Sequence, residues 1–528
     1  MGAHVKHSWD RRLGVWWIAE DHPHAPAIAE SPSGRTMTFS ELAAAAHRVA
    51  NALRAHGIGD GEAVAYALPN DVDAVVWQLA TLETGLRYLT LNPTLSTDEF
   101  ASILEHSGAT ALVTHVDYLQ RCAEAATGAT LRVVVGAAAD DALPSGFITD
   151  TELVADQPST PPAKRKQGDS IRYSSGTTGK PKGIMRPLED RDPSVAANAM
   201  AVFGHAFDFR PFDGVHLVST GMHHAGCQSF YLGALNVGQA LVILGKFDAE
   251  QTLAAIDSHP VTSAYMVPTQ FVRMLKLPHD VRSKYDVSSL RSVVHSAAPC
   301  PLQVKKEMMD WWGPVIWETY GGTEGAATIA KPYRWLEKPG TVGRPVRGMS
   351  VKILDDEGNP LPANEVGNVY IESLSGRSFE YRNDAELTAS VYRGNAFTLG
   401  DLGYLDDDGY LFICDRAKDM IISGGVNIYP AEVEGVLSSH PAITDVAVIG
   451  IPDPEWGEQI KAVVELVPDA EPSDALAEEL IAYTRARLAG FKCPRSVDFT
   501  PQLPRTETGK LMKRQIRDPY WVEAGRRV

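Results

Sequence analysis

Apolar positions along the first third of the chain follow two periods, one typical of strands and one typical of helices. Residues 63–68 form a short, almost continuous apolar run, as in a strand buried on both faces. Residues 73–82 carry apolar side chains at helical spacing, and so does the segment after Thr38, for which Ser40 is the predicted N-cap. Further strands are predicted at 109–114 and 131–135. This alternation predicts an α/β fold with mostly parallel sheets.

The pattern changes twice in the second half of the chain. Strand patterns dominate up to residue 416, and the acidic segments 355–358 and 406–409 punctuate them. Those segments lack EF-hand spacing, so Asp-Gly hairpin turns are a better interpretation than calcium ligands. Beyond that point, helix and strand patterns mix. We therefore predict an N-terminal domain of stacked α/β sheets at 1–416, with a β-rich subdomain at about 340–416, and a small α+β domain at 417–528.

Composition and charge limit the classes of partner that the chain can bind. The 528 residues include 49 Lys and Arg against 66 Asp and Glu, a net charge of −17. A nucleic-acid partner is disfavoured, because phosphate contacts require a basic face. The most apolar run, 230–244, is too short to span a bilayer, and no secretory apolar region lies near the start.

The number and spacing of the cysteines suit a reducing compartment. The five cysteines are scattered singly, with no CxxC spacing, which favours neither a disulfide framework nor a metal cage. We expect a cytoplasmic protein, and leave peripheral membrane contact and a homodimer open.

Candidate chemistry is densest in the loop 173–183, which reads Tyr-Ser-Ser-Gly-Thr-Thr-Gly-Lys-Pro-Lys-Gly. Hydroxyl and backbone N–H groups donate to phosphate oxygens, lysines supply charge, and glycines allow close approach of a ligand. The alternative is a flexible linker, but a strand-like entry and the lysines on both sides of Pro181 argue against it. The loop is not a Walker motif, which would need glycine at Ser174 and Ser or Thr at Pro181. It predicts a polyphosphate site of another kind.

Further segments, in order along the chain, resemble motifs of the adenylate-forming superfamily of acyl- and aryl-CoA synthetases, luciferases and peptide-synthetase adenylation domains. The matching segments are 174–183, 320–324, 400–401, 415–419, 423–430 and 504–510. The resemblance covers nearly the whole chain. It implies an ATP-dependent acyl-CoA synthetase that forms an acyl-adenylate and pyrophosphate, then transfers the acyl group to coenzyme A and releases AMP. The implied cofactors are ATP, Mg²⁺ and coenzyme A, and the implied partner is a small-molecule carboxylic acid.

The resemblance also implies roles for individual residues. It assigns ATP binding to Ser174, Ser175, Gly176, Thr177, Thr178, Gly179, Ala297, Ala298, Glu318, Thr319, Tyr320, Gly321, Thr323, Asp401 and Arg416. It assigns catalytic roles to Lys510, Glu324 and Lys182, with Glu324 as the Mg²⁺ ligand. Lys510 would bridge the substrate carboxylate and the α-phosphate, and Tyr320 would stack on adenine. From composition alone, Glu324 could be a solvated carboxylate, Tyr320 a core residue and Lys510 a flexible surface lysine.

The remaining assignments concern the second half-reaction and the acid. Lys418 would be the hinge of a mobile C-terminal domain, and Gly424 and Gly425 would contact coenzyme A. The acyl pocket is assigned to Met222, His224 and Gly322. Two positions depart from the family: Leu399 replaces a threonine, and His223 replaces an aromatic residue beside the gate histidine. The His pair invites a metal interpretation, but no third ligand is evident.

The acid itself is predicted only by class. Apolar residues follow the gate, and the segment 222–235 lacks the aspartate with which amino-acid-activating relatives bind an ammonium group. The tail 516–521 resembles the branch that handles fatty, bile-acid and steroid side-chain acids. A fatty or bulky alicyclic acid is therefore favoured. The alternatives are an aryl-CoA ligase, an acyl-adenylate ligase that loads a carrier protein, and a catalytically dead nucleotide sensor.

Overall fold

The computed structural model of the chain describes residues 12–31, 33–126, 128–138, 140–174, 182–374, 376, 379–506 and 510–523. The chain divides into two compact units. The first unit comprises Met1–Met266, Lys276–Val294 and Ser378–Thr388, and the second comprises Val267–Leu275, His295–Arg377 and Ala389–Val528. The predicted domain boundary at residue 416 falls inside the second unit and stays a prediction.

The helices and strands run as follows. The helices are α1 (Val15–Asp21), α2 (Phe39–Ala55), α3 (Val72–Glu83), α4 (Thr97–Ser107), α5 (Leu119–Ala125), α6 (Asp150–Val154), α7 (Pro193–Ala206), α8 (Ala225–Asn236), α9 (Ala249–Ser258), α10 (Pro268–Leu275), α11 (His279–Arg282), α12 (Leu302–Trp312), α13 (Pro332–Glu337), α14 (Ala385–Val391), α15 (Pro430–Leu437), α16 (Asp474–Arg485) and α17 (Lys513–Glu523). The strands are β1 (Pro26–Ser31), β2 (Thr36–Thr38), β3 (Ala63–Ala67), β4 (Arg87–Thr90), β5 (Ala109–His115), β6 (Leu131–Val135), β7 (Ile148–Thr149), β8 (Asp169–Ser170), β9 (Arg172–Ser174), β10 (Lys182–Met185), β11 (Val215–Val218), β12 (Ala240–Leu244), β13 (Ser263–Met266), β14 (Ser292–His295), β15 (Ile316–Gly321), β16 (Ala326–Ala330), β17 (Arg344–Pro345), β18 (Met349–Leu354), β19 (Gly367–Ser373), β20 (Glu380–Tyr381), β21 (Tyr392–Arg393), β22 (Ala396–Leu405), β23 (Leu411–Arg416), β24 (Ile421–Ser423), β25 (Val426–Ile428), β26 (Ile443–Asp453), β27 (Gly457–Leu466) and β28 (Ser496–Phe499).

The first unit contains the parallel sheets that the sequence pattern predicts. One sheet has the strand order β7-β6-β5-β3-β4-β8, and all its pairs are parallel. A second sheet has the order β14-β13-β11-β12-β1-β2 in this unit, with β1 antiparallel to β2 and parallel to β12. Strand β3 is buried along its whole length, as its continuous apolar run requires. The α/β prediction is confirmed.

The predicted N-cap of helix α2 is wrong by two residues. Thr38, not Ser40, is the N-cap: its hydroxyl accepts from the Glu41 backbone N–H at 3.3 Å, and its own N–H donates to the Glu41 carboxylate at 2.8 Å. This reciprocal capping box satisfies two N–H groups at once, whereas Ser40 lies within the first turn.

The second unit contains the β-rich and α+β segments. Antiparallel strands in the order β18-β19-β22-β21, with β23 paired to β22, form the sheet predicted for the segment up to residue 416. Gly409 N–H donates to Asp406 O at 2.9 Å, so that acidic segment is a hairpin turn as predicted. After it, strands in the order β25-β24-β27-β26, with β28 on β27, pack a core that α15 and α16 help to close. Within the described residues, no helix is long and apolar enough to cross a membrane.

Candidate active site

A tyrosine, an aspartate and an arginine meet in the second unit. Asp401 on β22 lies opposite Arg416 on β23 in the antiparallel register. The Tyr320 hydroxyl, at the end of β15, donates to Asp401 Oδ2 at 2.7 Å, and Arg416 Nε lies 3.5 Å from Asp401 Oδ1. Burial raises the pKa of the Asp401 carboxyl, while Arg416 and the Tyr320 hydroxyl oppose that rise. The arrangement presents a carboxylate that can accept hydroxyl groups, beside a fixed cation.

Lys510 shares this electrostatic environment. Its pKa is lowered to about 8, first by burial and then by the positive charges of Arg416 and Lys418, with Asp401 acting in the opposite sense. Its backbone is fixed, since Lys510 N–H donates to the Thr506 hydroxyl at 3.1 Å and Thr506 N–H donates to Lys510 O at 2.8 Å. A partly buried ammonium among other cations favours an anionic ligand.

The segment after β14 forms a second part of the site. Ser296 Oγ donates to Thr319 O at 2.7 Å, and Thr319 Oγ1 donates to Thr328 O at 2.8 Å. Ala297 has a φ of 73°, a left-handed conformation that is uncommon for a residue with a Cβ, and its side chain is exposed. Ala298 is half-buried. These contacts tie the predicted adenine-binding segment to β15, which carries Tyr320.

Glu318 lies beside two buried basic side chains, Lys305 and His295, that the sequence motifs did not predict. Lys305 Nζ lies 2.6 Å from Glu318 Oε2, and His295 Nε2 lies 3.4 Å from the same oxygen. Burial alone would raise the Glu318 pKa, but Lys305 and His295 outweigh it and lower that pKa to about 2. Lys305 is fully buried, with Nζ 4.6 Å from the centre of the Trp335 ring. The carboxylate predicted to bind ATP is thus held by two buried side chains directly beneath Thr319.

One signal could have found Lys305. The buried residues of α12 are Lys305, Met308, Met309 and Trp312, which follow one helical face at intervals of three and four residues. A lysine on an otherwise apolar stripe requires a buried carboxylate, because an unpaired buried charge is strongly destabilising.

The glycines of the 320–324 motif form a tight turn. Gly322 N–H donates to Gly325 O at 2.9 Å, and a Cβ at Gly322 would lie 2.6 Å from Glu324 Oε2. A Cβ at Gly321 would lie 2.5 Å from the backbone oxygen of Gly325, so that position does not accommodate a side chain, whereas one at Gly322 would displace the Glu324 carboxylate. Glu324 and Thr323 are half-buried. Mg²⁺ is commonly bound through one carboxylate plus substrate phosphates, and Glu324 fits that donor set. Among the described residues, no group of three or more His, Cys, Asp or Glu could hold a metal by itself.

Of the predicted phosphate loop, the structure describes only the residues at its two ends. Ser175, Gly176, Thr177, Thr178 and Gly179 lie outside the described residues. Strands β9 and β10 flank the loop as an antiparallel pair, with Ser174 opposite Lys182. Lys182 Nζ lies 5.9 Å from the centre of the Tyr381 ring. The strand-like entry at 172–173 is confirmed as part of β9.

In the first unit, the gate segment is held by two polar side chains, the half-buried Asn70 and the buried Gln228. Met222 N–H donates to Asn70 Oδ1 at 2.7 Å, and Gln228 Nε2 donates to Met222 O at 2.9 Å. His224 is the N-cap residue of α8 and makes no side-chain capping bond, and its ring lies 4.0 Å from that of His223. The apolar residues after the gate are buried in the core of this unit: Phe230, Tyr231, Leu232 and Leu235.

The predicted coenzyme A residues form a hairpin turn between β24 and β25. Gly424 and Gly425 have φ values of 60° and 79°, the left-handed pair that a type I′ turn requires. A Cβ at Gly424 would lie 2.4 Å from the Trp456 ring, whereas a Cβ at Gly425 would have no heavy atom within 4 Å among the described residues. Lys418, the predicted hinge, is exposed just after β23.

The chain is similar to known proteins over nearly its whole length. The model of the AMP-binding enzyme family matches residues 15–375, and that of the AMP-binding enzyme C-terminal domain matches residues 432–510. A feruloyl-CoA synthase of an Amycolatopsis species is 35% identical over 510 residues, covering 96% of this chain and 98% of that protein. The long-chain-fatty-acid–CoA ligase FadD13 of Mycobacterium tuberculosis is 31% identical over 513 residues, covering 94% and 96%. The o-succinylbenzoate CoA synthetase of Bacillus subtilis, solved with its acyl-adenylate intermediate, superposes with a TM-score of 0.78 at 28% identity, covering 96% of this chain and 97% of that one. In these proteins, as in this chain, a large N-terminal α/β domain precedes a small C-terminal domain.

Proposed function

Because the chain belongs to the AMP-binding enzyme family of adenylate-forming, AMP-forming acid–thiol ligases, we propose that it activates an apolar carboxylic acid with ATP and transfers the acyl group to coenzyme A. The acid oxygen attacks the α-phosphorus of ATP, and pyrophosphate leaves. The thiol sulfur then attacks the carbonyl carbon of the acyl-adenylate, AMP leaves, and the thiol proton is released.

One observation carries this proposal: Tyr320, Asp401, Arg416 and Lys510 share one electrostatic site in the second unit. A buried carboxylate beside an arginine suits a ribose diol, and a partly buried lysine suits a phosphate that gains charge as the bond forms. Attack of a carboxylate on a phosphate brings two anions together, so neutralising and positioning them is the main catalytic task.

Each of these side chains has a defined task in the proposal. Asp401 accepts the ribose hydroxyls, and Arg416 opposes the rise that burial gives the pKa of that carboxyl. The Tyr320 hydroxyl fixes one carboxylate oxygen, which orients the ring beside which adenine would stack. Lys510 donates to the substrate carboxylate and to the α-phosphate as charge develops. Glu324 would hold Mg²⁺, which neutralises phosphate charge when bound.

The roles of the first-unit residues are proposed separately. Ser174 and Lys182, with the loop 175–179, would bind phosphate oxygens, and Met222 and His224 would contact the acyl group. Gly424 and Gly425 would let the pantetheine arm pass near the backbone, which the open space above Gly425 supports. Lys418 would act as the hinge of a mobile C-terminal domain. The cytoplasmic location, a homodimer and peripheral membrane contact stay predictions.

For the acid, the apolar segment after the gate supports a fatty or bulky alicyclic carboxylate, in line with the similarity to a long-chain-fatty-acid–CoA ligase. A second candidate is an aryl acid, favoured by the 35% identity to a feruloyl-CoA synthase.

The test is pyrophosphate release from Mg·ATP with a panel of fatty, alicyclic and aryl acids, each with and without coenzyme A. The proposal predicts release that depends on the acid, and an acyl-CoA product by mass only when coenzyme A is present. Asp401→Asn serves as the matched control and should raise the KM for ATP with every acid. If none of the acids in the panel leads to pyrophosphate release, the proposal is contradicted. An acyl-adenylate that forms but does not react with coenzyme A would favour a carrier-protein ligase.

A further inference from the structure

The segment that carries Lys510 is a small hairpin, residues 504–512, which we call the lysine hairpin. Arg505 pairs with Leu511 in an antiparallel bridge, and Met512 N–H donates to Pro504 O at 2.9 Å. Residues 507–509 lie outside the described residues. Leu511 packs against a core cluster that contains Ile449 and Val463, and the direction of Lys510 depends on this packing and on the ion pairs that fix the two arms.

Each arm is fixed by an ion pair, the first to strand β26 and the second, made by the residue that follows the arm, to helix α15. On the first arm, the Arg505 guanidinium makes a two-pronged contact with Asp445, with Nε and Nη2 each 2.6 Å from a carboxylate oxygen. At the end of the second arm, Lys513 Nζ lies 2.8 Å from Glu434 Oε1. The second pair is the more buried one, since only 13% of the Lys513 side chain and 19% of the Glu434 side chain are exposed.

The Lys513–Glu434 pair connects three elements. Glu434 belongs to α15, its Oε1 also accepts from Val448 N–H of β26 at 2.7 Å, and Lys513 begins α17. Burial alone would lower the Lys513 pKa, but the carboxylates of Glu434 and Asp415 raise it overall. Breaking a buried pair by removing one partner is strongly destabilising, so this contact is a fixed point for the chain that enters it.

The two lysines of this segment differ in their contacts. Lys513 is ion-paired with Glu434, and Asp415 also raises its pKa, whereas cations as well as carboxylates surround Lys510: Arg416 and Lys418 lower its pKa, and Asp401 and Asp419 oppose them. Only three positions separate the two lysines, and in extended chain a slip by one position turns every side chain to the opposite face. Because the Glu434 carboxylate pairs with Lys513, it fixes the register of the lysine hairpin.

We propose that Lys513 and Glu434 are positioning residues: their buried pair sets the register of the lysine hairpin and thereby directs Lys510 to the adenylation site. This inference rests on the proposed role of Lys510. The pair itself touches no substrate. Its effect should appear only in the half-reaction that uses Lys510.

The experiment compares two rates in the full-length chain. Adenylation is followed as pyrophosphate release with Mg·ATP and decanoate or ferulate, whichever is turned over faster by the unaltered chain. Thioester formation is followed with the matching chemically prepared acyl-adenylate and coenzyme A. Lys513→Met should lower the kcat of adenylation by roughly 10- to 100-fold, since a displacement near 1 Å costs on the order of 10²-fold. Thioester formation should stay within about twofold of the unaltered rate, because the proposal leaves Lys510 out of that step.

Three further variants make the test decisive. Glu434→Gln keeps the size and the acceptor for Val448 N–H, so it tests the charge pair if Lys513→Met does not fold. Lys513→Arg retains the cation and should recover most of the adenylation rate. Lys461→Met is the matched control, since Lys461 is a buried lysine that lies 2.5 Å from Asp498 in the same sheet and 5.1 Å from the centre of the Tyr520 ring of α17, so its loss perturbs the packing of that helix but leaves the Lys513–Glu434 pair in place. It should lower the melting temperature without changing the ratio of the two rates.

Two results would overturn the inference: equal losses in both half-reactions for Lys513→Met and Glu434→Gln, or the same selective loss in Lys461→Met. Lys510→Ala separates this failure from failure of the proposed function. If Lys510→Ala loses adenylation while the pair variants do not, only the positioning role is wrong. If Lys510→Ala retains adenylation, the proposed catalytic role of Lys510 is wrong.

Discussion

The dependence of adenylation on pH should report the protonation of Lys510. Burial and the neighbouring charges of Arg416 and Lys418 lower its pKa from 10.5 to about 8. Its proposed task, to neutralise charge between the acid and the α-phosphate, requires the ammonium form. Raising the pH through 8 therefore removes the active form of the enzyme, and the rate falls as the pH increases.

The size of the effect follows from this pKa. With a pKa of about 8, roughly one-tenth of Lys510 is protonated at pH 9, whereas an ordinary lysine stays almost fully protonated there. The kcat/KM for ATP should thus fall about tenfold between pH 7 and pH 9, because this parameter reports the pKa of the free enzyme. Bound phosphates raise the pKa of a nearby ammonium, so the decline in kcat should begin at a higher pH.

The assay is initial pyrophosphate release across this range, in buffers of constant ionic strength and with saturating acid. Lys418→Ala removes one of the cations that lower the Lys510 pKa, so its decline should shift to higher pH. Lys510→Ala should show a low rate without this decline. A kcat/KM that stays level up to about pH 9.5 would refute the assignment of Lys510 as the essential cation.

Three other changes test separate parts of the site. Tyr320→Phe removes the hydrogen bond to Asp401 and should raise the KM for ATP about fivefold, equivalent to about 1 kcal/mol, with kcat little changed. Lys305→Met leaves the Glu318 carboxylate buried without its main cation, so it should reduce the free energy of unfolding, measured by chemical denaturation, by about 3–5 kcal/mol. The control Lys306→Met, on the exposed face of α12, should change that free energy little. The Glu318 pKa is lowered from 4.5 to about 2, so its stabilising contribution is complete above pH 4.5 and is lost as the pH falls towards 2, a loss that the Lys305→Met variant should lack. Gly425→Ala should raise the KM for coenzyme A with little change in pyrophosphate release, because the new methyl group would meet the proposed coenzyme A arm and lies within 4 Å of no described protein atom. The left-handed φ adds strain of about 1 kcal/mol at either glycine, and Gly424→Ala should destabilise the fold further through its clash with Trp456.

Motifs allowed much of this site to be predicted from the sequence. Tyr320, Asp401, Arg416 and Lys510 belong to motifs far apart in the chain, and the structure brings them together. Their catalytic roles remain predictions, but their proximity is a geometric finding. Local patterns also predicted the parallel strands of the first unit, because a short continuous apolar run is typical of a strand that is buried on both faces.

Other features depend on contacts that no local pattern reveals. Lys305 and Glu318 are thirteen residues apart and pair only because α12 packs beneath β15. The N-cap of α2 was misplaced because two neighbouring hydroxyl residues, Thr38 and Ser40, both suit an N-cap, and the reciprocal bond with Glu41 decides between them. Likewise, the sequence contains two lysines near the C-terminal motif, and only the buried carboxylates show which one is held in place.

The central claim is that Lys510 serves the formation of the acyl-adenylate and not its transfer. The most direct measurement compares Lys510→Ala with the unaltered chain in both half-reactions, using pyrophosphate release for the first and thioester formation from supplied acyl-adenylate for the second. We predict that adenylation falls by on the order of 10²- to 10³-fold, as when one preorganised charge-stabilising group is removed, while thioester formation is retained. An equal loss of both rates, or retention of adenylation, would contradict the account.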